Sequence, residues 1–444
     1  MSKPSRNRER GIALIAVMIV LALTIVITNE FGTSTNIDLS AASNYRDQMR
    51  SMFLARSAAS FGELVIRIQQ RLDNTRIPGM GGTLGQQVQI TDYADQLVLP
   101  FCGSAEEVRA MVGGQIADST KGLGAEVGTC GFTGPLVTED NKINLNCSNA
   151  GAAQAATVYS AIYSLIFFPA YDPIFDDNDA EGWHRDRMTQ AQAILDYIDN
   201  DTMHMNGSGK NDRGTTEDYG YESLKDRYYA KNNYMDTPSE LKLVRGVDDR
   251  FYTLFGNSFT VYGGCKLNIA AISNPQLIAA ILYLSAKNPN DPVILDPRRL
   301  FMLAAYVAKA RQFGEIFTSI DDFISYVKDP AASVGSLAGQ SGTIAGSAAG
   351  AAIAQGLPGL QPGEKLGLEL DKAKLSQIAS AGPRRTYKVE AYGEIQRQVK
   401  KKDGTPVYPP IRSTVTGVWD TKVVPQNVRK PPMPNGAWVF FKEE

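Results

Sequence analysis

The sequence predicts an α+β protein in which a long N-terminal transmembrane helix packs on a split β-sheet head that a large α-helical domain interrupts. Three observations predict this fold class: an apolar run of 17 residues near the N-terminus, helical patterns through the middle of the chain, and strand patterns on both sides of them. The predicted segments are a leader at 1–11, the N-terminal helix at 12–76, the first part of the head at 77–150, the helical domain at 151–370 and the C-terminal strands of the head at 371–444.

Length and composition are those of an ordinary globular protein that can bury a sizeable core. The chain has 444 residues, of which 43% are hydrophobic and 21% charged. With 45 basic against 47 acidic residues it carries no strong positive field, and this balance argues against nucleic-acid binding.

The N-terminal residues predict where the body of the protein lies. Four basic residues precede the apolar run of residues 12–28 and outweigh the single acidic residue there, Glu9. These basic residues are Lys3, Arg6, Arg8 and Arg10. Such residues stay on the cytoplasmic side of a membrane, so the rest of the chain is expected on the far side. At about 1.5 Å per residue the run covers roughly 25 Å and can cross a bilayer core once. A cleaved secretory signal is the alternative, although its small-residue site, LSAAS at 39–43, comes late.

The membrane run is expected to continue as one long helix, because no proline occurs from Ser5 to Ile77. Beyond the membrane, apolar side chains recur at mostly three- and four-residue steps and form one stripe: Met49, Phe53, Phe61, Leu64, Ile68 and Leu72. We expect the outer half of this helix to pack on the head. Pro78 and the glycines that follow it are expected to end the helix.

Strand patterns flank the middle of the chain. They are QVQI at 87–90, QLVLP at 96–100 and KINLN at 142–146 on one side, and RTYKVEAYGEI at 385–395, STVTGVWD at 413–420 and AWVFF at 437–441 on the other. Asp403-Gly404 predicts a turn within the second group. Because helical patterns separate the two groups, an inserted domain is expected to split the sheet.

Helical patterns fill residues 151–370. They include TQAQAILDYI at 189–198, NPQLIAAILYLSA at 274–286, PRRLFMLAAYVAKARQF at 297–313, and IDDFISYV after a capping signature formed by Ser319 and Asp322. Residues 331–356 are mostly Ala, Gly and Ser and predict a flexible loop. Glycines at 342, 346 and 350 have the GxxxG spacing of a membrane helix interface, so a second membrane element is the alternative.

The reactive residue types favour binding over catalysis. The four cysteines contain no C-x-x-C pair and share the chain with only two histidines, so no zinc site is expected. Neither histidine lies beside a G-x-S-x-G segment, as Ser-His-Asp chemistry would favour. Outside the cytoplasm the cysteines can form up to two disulfides, in any of three pairings, or remain free buried thiols. They are Cys102, Cys130, Cys147 and Cys265.

Acidic residues crowd the region from Asp176 to Asp226. Calcium prefers several oxygen ligands of this kind. However, D-N-D-T-M at 199–203 lacks the third ligand and the glycine of an EF-hand loop, so any site needs residues from separate segments. A solvated acidic surface is the alternative.

The N-terminus resembles the class III signal of type IV pilins and pseudopilins. In those proteins a prepilin peptidase cleaves after the glycine of a basic leader, here Gly11, and methylates the new amino terminus, here Ile12. Most members have glutamate at the fifth mature position, which is Ala16 in this chain. The missing glutamate is typical of the GspK family, the K-type minor pseudopilins of type II secretion systems.

An ordered run of motifs also resembles the GspK family. It comprises the I-N-x-N-like segments KINLN at 142–146 and KLNIA at 266–270, ILDYIDND at 194–201, TEDYGY at 216–221 and PSELKLVRG at 238–246. Tyr197 departs from the family pattern, which has tryptophan at that position.

This resemblance implies a pseudopilin-type head and a minor pseudopilin that caps the pseudopilus tip and helps to initiate its assembly for export of folded proteins. It implies a single-pass protein of the bacterial inner membrane, in contact with membrane lipid, with its body in the periplasm. The implied partners are the I-type and J-type minor pseudopilins, the other pseudopilins and the prepilin peptidase. A minor pilin of a type IV pilus and a membrane-tethered periplasmic enzyme are the alternatives.

The resemblance also implies calcium in the helical domain. The positions that match the acidic motifs of the family are Asp199, Asp201, Glu217 and Asp218.

Overall fold

The first helix, α1 (Arg6–Asn74), continues without interruption for 69 residues. The absence of proline from Ser5 to Ile77 allows the backbone hydrogen bonds to continue along it. The long apolar N-terminal helix predicted from the sequence is therefore confirmed.

The computed structural model of the chain describes residues 6–76, 83–103, 128–176, 178, 186–200, 203–205, 211–216, 219–222, 224–312, 317–330, 366–396, 408–423 and 436–444. After α1, its helices are α2 (Leu84–Gln87), α3 (Ala94–Cys102), α4 (Ala152–Ile166), α5 (Asp172–Phe175), α6 (Arg187–Asp196), α7 (Tyr219–Glu222), α8 (Asp249–Phe255), α9 (Pro275–Ser285), α10 (Pro292–Leu295), α11 (Pro297–Gln312), α12 (Ile320–Lys328) and α13 (Lys372–Ile378). Short 3-10 helices are at Ile90–Tyr93, Leu145–Ala150, Pro169–Tyr171, Pro238–Leu243 and Gly256–Ser258.

The strands are β1 (Thr129–Phe132), β2 (Val137–Thr138), β3 (Ile143–Asn144), β4 (Met203–Met205), β5 (Asn211–Thr216), β6 (Phe259–Thr260), β7 (Leu267–Asn268), β8 (Ala379–Ser380), β9 (Thr386–Ile395), β10 (Ile411–Asp420) and β11 (Ala437–Glu443). The predicted loop at 331–356 and the predicted turn at 403–404 lie outside the described residues.

The main sheet has the antiparallel order β1-β9-β10-β11, and β2 pairs with β9 beyond the end of β1. Gly393 of β9 lies opposite Ser413 of β10, and Val418 of β10 lies opposite Phe440 of β11. Strands from before and after the helical domain thus share one sheet. This arrangement is the split α+β head expected from the sequence.

Two of the predicted strands are wrong, because residues 84–87 and 90–102 are helical and residues 88–89 between them form no strand. Ala94, Val98 and Cys102 are buried at four-residue spacing, which is the period of a helix and not of a strand. The pattern of a short apolar run such as QLVLP does not by itself distinguish a helix from a strand. The strands that do complete the sheet before residue 150 are β1 and β2, whose short TCGF and VT sequences carry little strand pattern.

The helical domain has its own hydrophobic core, and the core extends beyond residues 151–370 at both ends. Ile143 and Leu145 belong to it on one side, and Leu375 and Ala379 on the other. KINLN therefore contributes to this core, because β3 pairs with β6 inside the helical domain and not with the main sheet. Helix α9 packs on α4 and α11 at its centre.

The structure contains two disulfides. Cys102 of α3 is bonded to Cys130 of β1, and Cys147 is bonded to Cys265 just before β7. The first disulfide lies in the head and the second in the helical domain, so neither crosses between the two parts.

Candidate membrane anchor and interaction surface

The apolar part of α1 lies outside the core of the protein. Every large apolar side chain from Leu14 to Ile27 is more than half exposed. Among the described residues, α1 is the helix whose length and apolar composition allow it to cross a membrane on its own. The bent pair α4 and α5 is also apolar, but most of its apolar side chains are buried in the core of the helical domain.

The polar groups of this apolar part are satisfied within the helix. The hydroxyl of Thr24 donates to the carbonyl oxygen of Val20 over 2.6 Å, and that of Thr28 donates to the carbonyl oxygen of Thr24 over 2.7 Å. An unsatisfied donor in hydrocarbon is costly, and these bonds remove that cost. Gly11 and Ile12, the predicted cleavage and methylation positions, lie on the same helix, and Ala16 is exposed on it.

Beyond the membrane run, α1 packs on the sheet through small residues. Ala55, Ala58 and Ala59 are almost completely buried. A Cβ on Gly62 would lie 3.1 Å from Val389 of β9 and 3.2 Å from Phe132 of β1. The helix and the sheet are therefore too close for large side chains between them.

The outer half of α1 packs on the head as expected, but four residues of the apolar stripe do not take part in that packing. Met49, Phe53, Leu64 and Ile68 are 38%, 56%, 51% and 42% exposed. They lie on the side of α1 turned away from the small residues, because the close approach of the sheet excludes bulky side chains. We call these four residues the exposed α1 face.

Neighbouring groups extend the exposed α1 face. Phe61 and Leu72 are only half-buried, and the ring of Phe61 lies 5.3 Å from that of Phe101 on α3, which is itself exposed. Arg46 and Arg50 are exposed at the membrane end of the face, and Arg46 pairs with Asp47 over 3.1 Å. The result is an apolar surface with positive charge at one end, a form that suits another amphipathic helix.

In the acidic region, the structure describes one of the four predicted metal ligands. Asp199 is 7% exposed and lies in the turn after α6, where its N–H donates to the carbonyl oxygen of Leu195 over 3.0 Å. Asp201, Glu217 and Asp218 lie outside the described residues. Among the residues that the structure does describe, no group of three or more His, Cys, Asp or Glu side chains could hold a metal ion.

The hairpin formed by β4 and β5 lies in sequence between the two halves of the acidic motif. Met203 pairs with Thr216 at its open end. Asp201 precedes Met203 by two residues, and Glu217 follows Thr216 directly. Residues 203 and 216 are therefore neighbours in space, and the calcium site itself stays a prediction.

Other motif residues have structural roles. The Glu240 carboxylate accepts the N–H of Asp236 over 2.8 Å and that of Thr237 over 2.9 Å, and it pairs with Lys231 over 2.6 Å. It thus caps the 3-10 helix that starts at Pro238. The pKa of the Tyr221 phenol is raised by its burial in the same region.

The asparagines of the I-N-x-N-like segments bond to backbone. The Asn146 amide donates to the carbonyl oxygens of Met235 and Val261 over 2.9 and 3.1 Å, and it accepts the N–H of Met235 over 2.8 Å. The Asn268 amide donates to the carbonyl oxygen of Gly382 over 2.9 Å. These side chains join distant loops, which explains why a pattern built on asparagine occurs at both places.

Comparison with known proteins gives consistent matches. The family described as "Type II secretion system (T2SS), protein K" matches residues 179–263, which include most of the acidic region. The chain is 22% identical over 291 residues to "Type II secretion system protein K" of Aeromonas hydrophila, a match that covers 65% of this chain and 75% of the relative. A solved structure, the GspK-GspI-GspJ complex of enterotoxigenic Escherichia coli, aligns with a TM-score of 0.48 and 12% identity over 92% of this chain and 99% of that one.

The family match lies in the helical domain and includes three of the five motifs that carry the resemblance, those at 194–201, 216–221 and 238–246. The relative carries the same description over a much longer stretch of the chain. The chain is therefore similar to type II secretion system protein K, most specifically over residues 179–263.

Proposed function

We propose that this protein is a minor pseudopilin that caps the tip of a type II secretion pseudopilus and helps to initiate its assembly. The observation that carries the proposal is the unbroken helix α1, with an apolar, unburied first part and an exposed apolar face beside the head. One part suits a bilayer and the other suits helices of neighbouring subunits. The family match supports a secretion system over a type IV pilus.

The protein is proposed to be anchored once in the inner membrane, with its body in the periplasm. Arg6, Arg8 and Arg10 precede the apolar part of α1, and the positive-inside rule leaves such residues in the cytoplasm. The two disulfides support a location outside the cytoplasm, where thiols oxidise. A prepilin peptidase would cleave after Gly11 and methylate Ile12, leaving the apolar helix on the mature protein.

A place at the tip accounts for Ala16. A glutamate within the bilayer is costly and is tolerated when it pairs with a positive group, such as the amino terminus of a neighbouring subunit. A tip subunit has no neighbour above it, so a glutamate at residue 16 would stay unpaired. Alanine avoids that cost.

The proposed partners are I-type and J-type minor pseudopilins, together with the other pseudopilins of the system. The Escherichia coli protein in the solved complex is assembled with GspI and GspJ. In this chain the exposed α1 face supports the same kind of contact, because Phe53 and Leu64 are large apolar side chains left uncovered on a helix. No catalytic activity is proposed, since the role rests on binding surfaces.

Calcium binding is proposed in the helical domain, through Asp199, Asp201, Glu217 and Asp218. The buried position of Asp199 and the register of the β4-β5 hairpin support this assignment. The ion would neutralise several carboxylates and hold the two ends of the acidic motif together. Titration of the chelator-treated protein with calcium chloride should give a binding isotherm that Asp199→Asn weakens. The exposed Asp249, changed to asparagine, is the control, and equal isotherms would contradict the site.

The test of the main proposal is co-purification of the full-length chain in detergent with candidate I-type and J-type partners. The double variant Phe53→Ser/Leu64→Ser should lose the complex while the unbound protein keeps its melting temperature. Leu295→Ser is the control, because Leu295 is 67% exposed and lies on α10 of the helical domain. A complex that forms equally well with all three proteins would refute the role of the exposed α1 face.

A further inference from the structure

Two linkers join the helical domain to the head, and they lie side by side. The outgoing linker covers residues 138–142 and the returning linker covers residues 380–386. The N–H of Glu139 donates to the carbonyl oxygen of Thr386 over 2.9 Å, and the hydroxyl of Thr138 donates to the same oxygen over 3.0 Å. We call this pair of linkers the interdomain joint.

A buried carboxylate lies at the centre of the interdomain joint. Asp140 is 9% exposed, and its Oδ2 accepts the backbone N–H groups of Arg385 and Thr386, the second over 3.0 Å. The Thr138 hydroxyl lies 3.3 Å from the same oxygen. One side chain of the outgoing linker therefore holds two consecutive backbone donors of the returning linker, and charge-assisted bonds of this kind are strong.

A loop of the helical domain lies against the same carboxylate. Gly263 has a φ of +86°, and a Cβ at that residue would lie 2.7 Å from Oγ1 of Thr386 and 3.1 Å from Oδ1 of Asp140. The N–H of Asn268 donates to the backbone oxygen of Asp140 over 2.8 Å. The helical domain thus contacts the joint directly as well as through the two linkers.

The returning linker is also fixed to the head by two arginines. Arg384 forms an ion pair with Asp92 of the 3-10 helix before α3, and its guanidinium is nearly buried. Arg385 pairs with Asp420 at the end of β10 over 2.7 Å. The linker is consequently bonded to the outgoing linker on one side and to the head on the other.

We propose that Asp140 is a positioning residue that holds the helical domain in a single orientation on the head. Two domains of one chain are expected to move relative to each other unless contacts between them fix their orientation. Here Asp140 bonds them, and the loop at Gly263 and the two arginine pairs restrict the same few residues. This role concerns the geometry between the two parts of the protein, and it holds whether or not the protein caps a pseudopilus.

The test is pulsed electron spin resonance on the full-length chain in detergent. Spin labels attached at Leu295→Cys on the helical domain and Val439→Cys on β11 report the distance between the two parts. Both positions are exposed, and the four native cysteines are already in disulfides. The chain without a further substitution should give one narrow distance distribution, and Asp140→Ala should widen it by about twofold or more.

The matched control is Asp371→Ala. Asp371 also accepts two backbone N–H groups, those of Ala373 and Lys374, but both belong to its own helix α13. It should lower the melting temperature without widening the distribution, which separates positioning from stability. Asp140→Asn, which keeps a carbonyl acceptor, should restore a narrow distribution. A wide distance distribution in the protein that keeps Asp140 would overturn the proposal. An equally narrow distance distribution in folded Asp140→Ala would also overturn it.

Discussion

Gly393 of β9 lies directly against the backbone of α1 at Ser51. A Cβ at residue 393 would be only 2.1 Å from the carbonyl oxygen of Ser51 and 2.6 Å from the backbone nitrogen of Ala55. Both obstacles are backbone atoms of a helix, which cannot move aside singly. The separation of helix and sheet at this point therefore depends on the absence of a side chain.

Gly393→Ala should destabilise the head by about 1–3 kcal/mol, because the helix must move away from the sheet to admit a methyl group. Chemical denaturation followed by circular dichroism measures the change. Gly134→Ala is the control, since no heavy atom lies within 4 Å of the added Cβ there. Equal stability of the two variants would show that the helix and sheet are not tightly packed.

Two isoleucines on α1 should contribute very different amounts to the free energy of unfolding. Ile66 is fully buried and Ile68 is 42% exposed. Ile66→Ala should cost about 2–5 kcal/mol of unfolding free energy, whereas Ile68→Ala should stay within about 0.5 kcal/mol. If Ile68→Ala were the more damaging change in the unbound protein, the packed face of α1 would have been misassigned.

The two disulfides should contribute unequally to the stability of the protein. Cys147 and Cys265 are 118 residues apart, and Cys102 and Cys130 are 28 apart. A longer closed loop restricts the unfolded chain more, and the loop-entropy relation gives a difference of ~1.3 kcal/mol in favour of the longer one. Replacing each pair by serines and comparing the melting temperatures tests this order, and a larger loss for the Cys102 and Cys130 pair would reverse it.

The stability of the interdomain joint should depend on pH. Burial raises the pKa of Asp140, although the N–H groups of Arg385 and Thr386 lower it. With the folded pKa above the value of about 3.9 in an unfolded chain, ionisation is less favourable in the folded state. The carboxyl's contribution to the free energy of unfolding is thus fully present at low pH and falls as the pH rises from about 4 through the folded pKa.

Asp140→Asn removes this titration. Relative to the unsubstituted protein, the asparagine variant should therefore be most destabilised below about pH 4 and less so at neutral pH. Urea denaturation of both proteins at a series of pH values gives the difference. A penalty that increases from acid to neutral pH would mean that the hydrogen bonds lower the pKa more than burial raises it.

Ala16→Glu should leave pseudopilus initiation unchanged or impair it, because the added carboxylate would lack a partner within the bilayer. Counting assembled pseudopili in cells that express each variant measures the effect. Ala16→Leu changes size without charge and serves as the control. Clearly improved assembly with glutamate would contradict a position at the tip.

Much of the architecture follows from local patterns. Strands β9, β10 and β11 and helices α6, α9, α11 and α12 have long, regular patterns, and the hydroxyl of Ser319 accepts the N–H of Asp322 as its capping signature predicts. The sequence of helix α3 predicts a strand instead, because its nine residues include a proline and a short apolar run that suits either structure.

The packed face of α1 could not be found by seeking large apolar residues. Ala55, Ala58 and Gly62 bury little area each, yet they decide where the sheet can approach. Their three- and four-residue spacing was visible in the sequence and is the signal that could have identified the face. Asp140 had no such signal, because the backbone groups that it binds are about 245 residues away in the chain.

The continuity of α1 has a mechanical consequence. Its 69 residues, at about 1.5 Å each, extend for roughly 100 Å from the N-terminal end to the last contact with the head. Because the helix is unbroken between the proposed membrane anchor and the sheet, an axial displacement of the anchor by one turn, about 5.4 Å, would carry the sheet with it. A rotation of the anchor in the lipid likewise turns the whole body, so force applied at the membrane acts directly on the far end of the molecule.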